Sequence, residues 1–256
     1  MTYVVVCAVA LTTSALTLFS GFGLGTLLLP AFALVFPVEI AVAATAVVHL
    51  ANNLFKLALV GREANAHVVL ALGVPAIPAA FAGAWLLAAL AVVPELARYT
   101  LLGLEARVTV VKLAIALLIG LFAMLELSPA SESLSFGPRW LPLGGVIMGF
   151  FGGLSGHQGA LRSAFLLRHG LSKRAFIGTG VVCAVLVDLV RLSVYGRSLP
   201  PLGREQAPLL VAATLAAIAG AWIGVRLLGK VTLSFVRRLV GGLLLLLAAA
   251  LACGVV

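Results

Sequence analysis

The chain has 256 residues, of which 63% are hydrophobic and only 10% charged. Soluble domains run nearer ~45–50% apolar and ~25% charged, so a solvated globular surface is excluded and the chain reads as an all-α polytopic protein of the lipid bilayer. The formal net charge of +9 does not indicate nucleic acid: the basic residues gather in short loops between apolar runs, as the positive-inside rule produces, rather than on a soluble face.

In chain order the apolar runs fall at about 2–19, 24–36, 38–60, 66–92, 108–127, 138–152, 157–167, 175–196, 206–228 and 234–256. The first lacks a basic n-region, the first Lys or Arg being Lys56, and reads as a retained helix rather than a cleaved signal. Runs such as 38–60 and 206–228 reach the ~20 residues needed to span hydrocarbon. Two are too short, 24–36 and 157–167, and each follows a glycine-rich break. The first break is Gly21-Phe22-Gly23-Leu24-Gly25; the second runs from Gly152 to Gly159 and contains Gly153 and Gly156. The three cysteines, Cys7, Cys183 and Cys253, stand isolated in apolar runs and read as small packing residues.

Sliding the chain by 135 residues places Gly21 on Gly156, Asn53 on Asp188, Lys56 on Arg191, and Gly61-Arg62 on Gly196-Arg197. This predicts a duplication: a first transmembrane repeat over 1–127, a polar linker over 128–137 and a second repeat over 138–256. Counting each short run with its predecessor as one broken crossing gives four crossings per repeat, about eight in all, with parallel repeats. Loops 94–112, 168–174 and 226–238 then share a side with ten basic residues, against Arg62, Arg139, Arg197 and Arg204 on the other. The positive-inside rule puts the ten inside and both termini in the periplasm. If every run crossed, the repeats would be inverted.

Polar residues concentrate at a few membrane-depth positions. His49, Asn53 and Lys56 are spaced i, i+4, i+7, which stacks them on one helix face, with Thr45 a turn earlier and Asn52 beside them. Asp188, Arg191 and Tyr195 repeat the pattern in the second half, and Gln158 and Arg162 are i, i+4 on the second short run, with His157 at its break. A cation near the bilayer centre costs roughly 2.5–3.5 kcal/mol on insertion scales. Three cations, Lys56, Arg162 and Arg191, against one acid, Asp188, therefore suit a bound anion. Arginine forks match the oxygens of carboxylate, sulfonate or phosphate; lysine adds a point charge. The N-termini of the two short helices offer free N–H groups to an anion. A histidine, or Asp188, could carry a proton with it.

Structural alternatives stand beside these roles. Asp188 and Arg191 can neutralise each other at i, i+3. Lys56 can snorkel toward the interface, Arg162 can pin neighbouring carbonyls, and the histidines can be satisfied core residues. Glycines at the breaks can simply allow close packing. No phosphate-binding loop, metal cluster or nucleophile–base pair stands out. No cofactor is expected, and an enzyme, a channel and an assembly partner are the weaker classes.

The segment Gly21-Phe-Gly-Leu-Gly…Pro30 is similar to the glycine-rich first-repeat motif of the sulfite exporter TauE/SafE family, also known as the 4-toluene sulfonate uptake permease family. The second half is the closer match: Gly152-Gly-Leu-Ser-Gly-His-Gln-Gly-Ala-Leu-Arg162-Ser-Ala-Phe-Leu, Thr179-Gly-Val-Val and Val187-Asp-Leu-Val-Arg191 resemble one subgroup. The resemblance covers essentially the whole chain. It implies a secondary transporter of the bacterial inner membrane for sulfite, thiosulfate, sulfonates or sulfoacetate, a class in which a homodimer is plausible. The chain departs from the family pattern at His157-Gln158, where members carry more glycine, and at Phe165, which does not repeat Pro30.

Overall fold

A computed structural model describes residues 2–20, 24–101, 104–128, 135–200, 202–226 and 233–255. Its helices are α1 (Thr2–Ser20), α2 (Leu24–Ala33), α3 (Val38–Val60), α4 (Ala66–Ala91), α5 (Val110–Leu127), α6 (Leu141–Ser155), α7 (Gly159–Leu166), α8 (Lys173–Ser198), α9 (Ala207–Arg226) and α10 (Leu233–Ala252). Each predicted apolar run is represented by one of them. Local chemistry sets several boundaries. Asn65, Thr109 and Ser172 cap α4, α5 and α8 by accepting from Val68, Lys112 and Ala175 N–H, satisfying donors a helix start leaves unpaired. Helix α6 stops at Gly156, whose φ of +84° is a left-handed conformation natural to glycine.

The all-α expectation needs one correction. Strands β1 (Ala97–Leu101) and β2 (Leu104–Val108) pair antiparallel in the register Ala97↔Val108 to Leu101↔Leu104, within a stretch read as a basic loop. The hairpin is tied to the far end of the chain: Tyr99 OH donates to Cys253 O at 2.7 Å and Arg107 N to Gly254 O at 2.9 Å. A partner about 150 residues away in sequence leaves no local signal.

Close contacts give the chain direction. Asp188 of α8 meets His49 and Asn53 of α3, while Gly178 abuts Val60 O, so α3 and α8 are antiparallel. Asn65 N donates to Thr179 Oγ1 and Gly73 faces Leu186, so α4 and α8 are parallel. Gly145, Gly149 and Gly153 of α6 face Leu72, Ala76 and Ala80 of α4 in parallel. Hence α3 ends, and α4, α6 and α8 begin, at one end of the bundle, the linker end. Helix α7 then folds back along α6: Gly152 lies beside Gln158, Gly144 beside Phe165, and Phe136 N donates to Ala164 O at 3.1 Å. The α6–α7 pair enters and leaves at the linker end. At the other end, α1 runs parallel to α9, Leu11 against Gly220 and Ala15 against Gly224. Helix α2 returns antiparallel to α3, with Gly25 beside Thr45 and His49. The α1–α2 pair therefore also enters and leaves at one end, where both chain termini lie.

These chain directions depart from the expectation of four crossings per half with parallel repeats. The short helices complete re-entrant hairpins, and α3, α4 and α5, like α8, α9 and α10, run from end to end. Helices α3, α4, α8 and α9 are long and apolar enough to cross a membrane by themselves. Helices α5 and α10 pack antiparallel, Gly120 against Ala248 and Leu127 against Gly241, and join the same two ends. Among the described residues, each half has three helices that run from end to end, and the two halves start from opposite ends of the bundle. The pairings exchange into one another when α1–α5 are swapped for α6–α10: α1·α9 becomes α6·α4, α3·α9 becomes α8·α4, and α3·α8 and α5·α10 map onto themselves.

This topology has a direct test. In a cysteine-free background, Tyr99→Cys and Arg168→Cys are expected to react with an impermeant maleimide from opposite faces of the membrane. Labelling from one face would restore the eight-crossing, parallel arrangement.

Candidate functional site

The start of α2 meets the tip of the second hairpin beside the middles of α3 and α8. Gly25 of α2 lies against Gly156 O of the second tip and against Thr45 and His49 of α3. Around this junction five of the eight polar residues singled out from the sequence form one connected network centred on Asp188, which is fully buried. Its Oδ2 lies 2.7 Å from His49 Nδ1 and accepts from Asn53 Nδ2 at 3.0 Å. Its Oδ1 accepts from Arg191 Nε at 3.0 Å and from Gln158 Nε2 at 3.4 Å, with Arg191 Nη2 at 2.8 Å. One carboxylate thus ties α3, α8 and the second hairpin tip together. Arg191, also fully buried, turns Nη1 toward Gly156, where any Cβ would collide with it. Tyr195 OH donates to Gly153 O and anchors the same tip to α8.

The other three candidates stand just off this network. Lys56 is only 7% exposed, so it does not snorkel. With the Asn52 amide turned to satisfy all its partners, Asn52 donates to Ala217 O and Ser14 Oγ, both at 3.2 Å, and accepts from Lys56 Nζ at 3.0 Å. Arg162 lies against α8 at Gly180, where an added Cβ would come 3.0 Å from its Nε, and its Nη1 is buried with no hydrogen-bond partner. His157 is packed rather than free. Its ring stacks on Phe122 of α5 at 5.2 Å, and Nδ1 lies 3.0 Å from Ser155 Oγ, while Nε2 has no partner. Thr45 Oγ1 is likewise buried and unpaired. Buried polar atoms usually find partners, and among the described residues Thr45 Oγ1, His157 Nε2 and Arg162 Nη1 have none.

The glycines divide by role. Gly156 forms the second break and Gly159 opens α7 immediately after it. Gly25 lies in the first turn of α2. Gly153, expected as a break, is instead inside α6 and packs on Ala80 of α4, because a side chain there would strike α4 backbone. Gly21 and Gly23 lie outside the described residues. Sequence spacing missed Ser14 and Ser155, which sit within apolar or glycine-rich runs and gain meaning only from Asn52 and His157.

Comparison with known proteins then supplies the deciding observation: the family model for the sulfite exporter TauE/SafE matches residues 6–251. The chain belongs to the sulfite exporter TauE/SafE family. No curated protein and no solved structure matches it. TauE/SafE proteins are membrane transporters of sulfur anions such as sulfite, which makes this chain a multi-pass membrane transporter. The resemblance read from the Gly152–Leu166 motif agrees with this membership, and the motif coincides with the second hairpin, whose tip reaches Asp188.

Proposed function

We propose that the chain is a secondary transporter of a sulfur oxyanion or organosulfonate, of the sulfite, thiosulfate or sulfoacetate class, working by alternating access. One observation carries this reading: beyond the Asp188–Arg191 pair, Lys56 and Arg162 leave a surplus of positive charge beside the junction of two re-entrant hairpins from opposite ends of the bundle. Glycine-broken short segments in two halves, with polar groups at their junction, are the pattern of transporter sites near the midplane. The division into repeats 1–127 and 138–256 is supported by the exchange symmetry of the helix pairings. His49, Asn53, Lys56, His157, Gln158, Arg162, Asp188 and Arg191 are the binding and coupling groups in this reading.

Orientation follows from charge. Among the described residues, Arg62, Arg139, Arg168, Lys173, Arg174, Arg226, Arg237 and Arg238 lie toward the linker end, against Arg98, Arg107, Lys112, Arg197 and Arg204 at the other. The excess supports a cytoplasmic linker end and periplasmic termini. Proton coupling has a candidate in the His49–Asp188 pair: protonating Asp188 would remove the charge that neutralises Arg191.

Thermal stabilisation of the purified protein tests the substrate class, because a ligand that binds only the folded state raises the melting temperature by mass action. Sulfite, thiosulfate or sulfoacetate is expected to stabilise, by about 2.7 kcal/mol at a hundred times its dissociation constant. Stabilisation by carboxylates alone would keep an anion transporter and discard the sulfur assignment. Flux into liposomes across a pH step is expected to depend on the step; pH-independent flux would remove the coupling.

A further inference from the structure

Resting on that proposed function, we infer that the substrate is a dianion held between Lys56 and Arg162, while Arg191 is charge-neutralised by the protein itself. The argument begins with the internal correspondence. Sliding the chain by 135 residues places Asn53 on Asp188 and Lys56 on Arg191. In the second half an acid precedes the cation by three residues and forms an ion pair with it at 2.8 Å. In the first half an amide stands in the acid's place, and it is itself turned to Asp188. Two cations of equivalent origin therefore have opposite needs. Arg191 has its counter-charge on its own helix; Lys56 has only the neutral oxygen of Asn52.

Arg162 is the second cation without an acid. None of the ion pairs among the described residues includes it or Lys56. Helices α3 and α8 run antiparallel, with His49 at Asp188 and Val60 at Gly178, so Lys56 lies opposite the stretch of α8 between Gly178 and Asp188. Arg162 reaches that same stretch from α7. Two like charges drawn together at this depth repel each other and are costly to desolvate. An anion between them relieves both costs. Lys56 offers a point charge, and the unpaired Arg162 Nη1 offers a directed donor.

The charge count then selects the ligand. With Asp188 and Arg191 neutralising each other, two positive charges remain. A monoanion leaves one uncompensated; a dianion offsets both. The site is accordingly built for two negative charges on a compact set of oxygens, and a zwitterionic or singly charged sulfonate is the poorer fit.

The test compares thiosulfate, a dianion, with methanesulfonate, a monoanion, neither of which titrates near neutral pH. Binding to the purified full chain is measured by calorimetry and by thermal shift at fixed ionic strength. Thiosulfate is expected to bind wild type about 10–100-fold more tightly, the worth of one additional charge-assisted contact. Lys56→Met is expected to erase that preference by weakening thiosulfate and leaving methanesulfonate little changed. Lys56→Arg, which keeps the charge, should retain the preference and guards against a packing artefact. Equal affinity of wild type for the two anions, or an unaltered preference in folded Lys56→Met, would overturn the inference while leaving an anion transporter in place. Binding of neither anion would count against the proposed function itself.

Discussion

Asp188→Ala is expected to destabilise the protein by roughly 3–5 kcal/mol, the cost of stripping one partner from a buried ion pair, and to abolish transport. Asp188 and Arg191 are both fully buried, so no water can take over when the carboxylate goes. The loss strands more than one group. Arg191 loses an acceptor for Nε, His49 loses its contact on Nδ1, and Asn53 and Gln158 each lose an oxygen to donate to. These groups come from α3, α8 and the second hairpin tip, so the three elements lose their common fastening. Denaturant unfolding of the purified protein measures the effect. Asp188→Asn retains an acceptor oxygen but no charge, and should fall between wild type and alanine. Asp188→Leu combined with Arg191→Met is expected to recover stability without recovering transport, since a buried pair can often be exchanged for apolar residues at little cost. A loss below about 1 kcal/mol for Asp188→Ala, the range of an exposed pair, would show that the carboxylate is solvated and the fastening is not real.

The second large effect is steric. Gly149→Val is expected to cost about 3 kcal/mol, at the upper end of overpacking penalties, and to displace the second hairpin. A Cβ at Gly149 would lie 2.7 Å from Ala76 Cα, and one at Gly153 would lie 2.8 Å from Ala80 Cα. Backbone on α4 cannot turn aside as a side chain end can. Gly145, Gly149 and Gly153 repeat every four residues and meet Leu72, Ala76 and Ala80 at the same interval, the small-residue seam that lets membrane helices approach closely. Because α6 carries Gly156 and Gln158 at its far end, forcing α6 off α4 also pulls the tip from Asp188 and Arg191. Loss of anion binding should accompany loss of stability. Gly120→Ala is the control, since its Cβ would meet only Ala248 Cβ at 3.7 Å. If Gly149→Val melts and binds like wild type, the α4–α6 seam is looser than described.

Much of this was legible in the residues alone. Among the described residues each of the ten apolar runs became a helix, because hydrophobic length is a local property and lipid obliges the backbone to bond within each segment. The stripe His49, Asn53, Lys56 was readable because helix periodicity alone puts those positions on one face. The pairing of Asp188 with Arg191 was foreseen as an alternative from their i, i+3 spacing and is present. By contrast, the β-hairpin was missed because it leans on Cys253 and Gly254, and Gly153 was misread because its constraint lies on another helix.

By itself, then, the sequence determined the environment, the helices and the family. Those follow from composition, from the 3.6-residue period and from motifs contiguous along the chain. Only the tertiary structure decided that the short helices turn back along their predecessors, and that Asp188 serves Arg191 and His49 while, among the described residues, Lys56 and Arg162 form no ion pair. Each of these depends on groups distant in sequence, such as His49 and Asp188, 139 residues apart, meeting in space. No local pattern records which of several equally buried partners a charge will find.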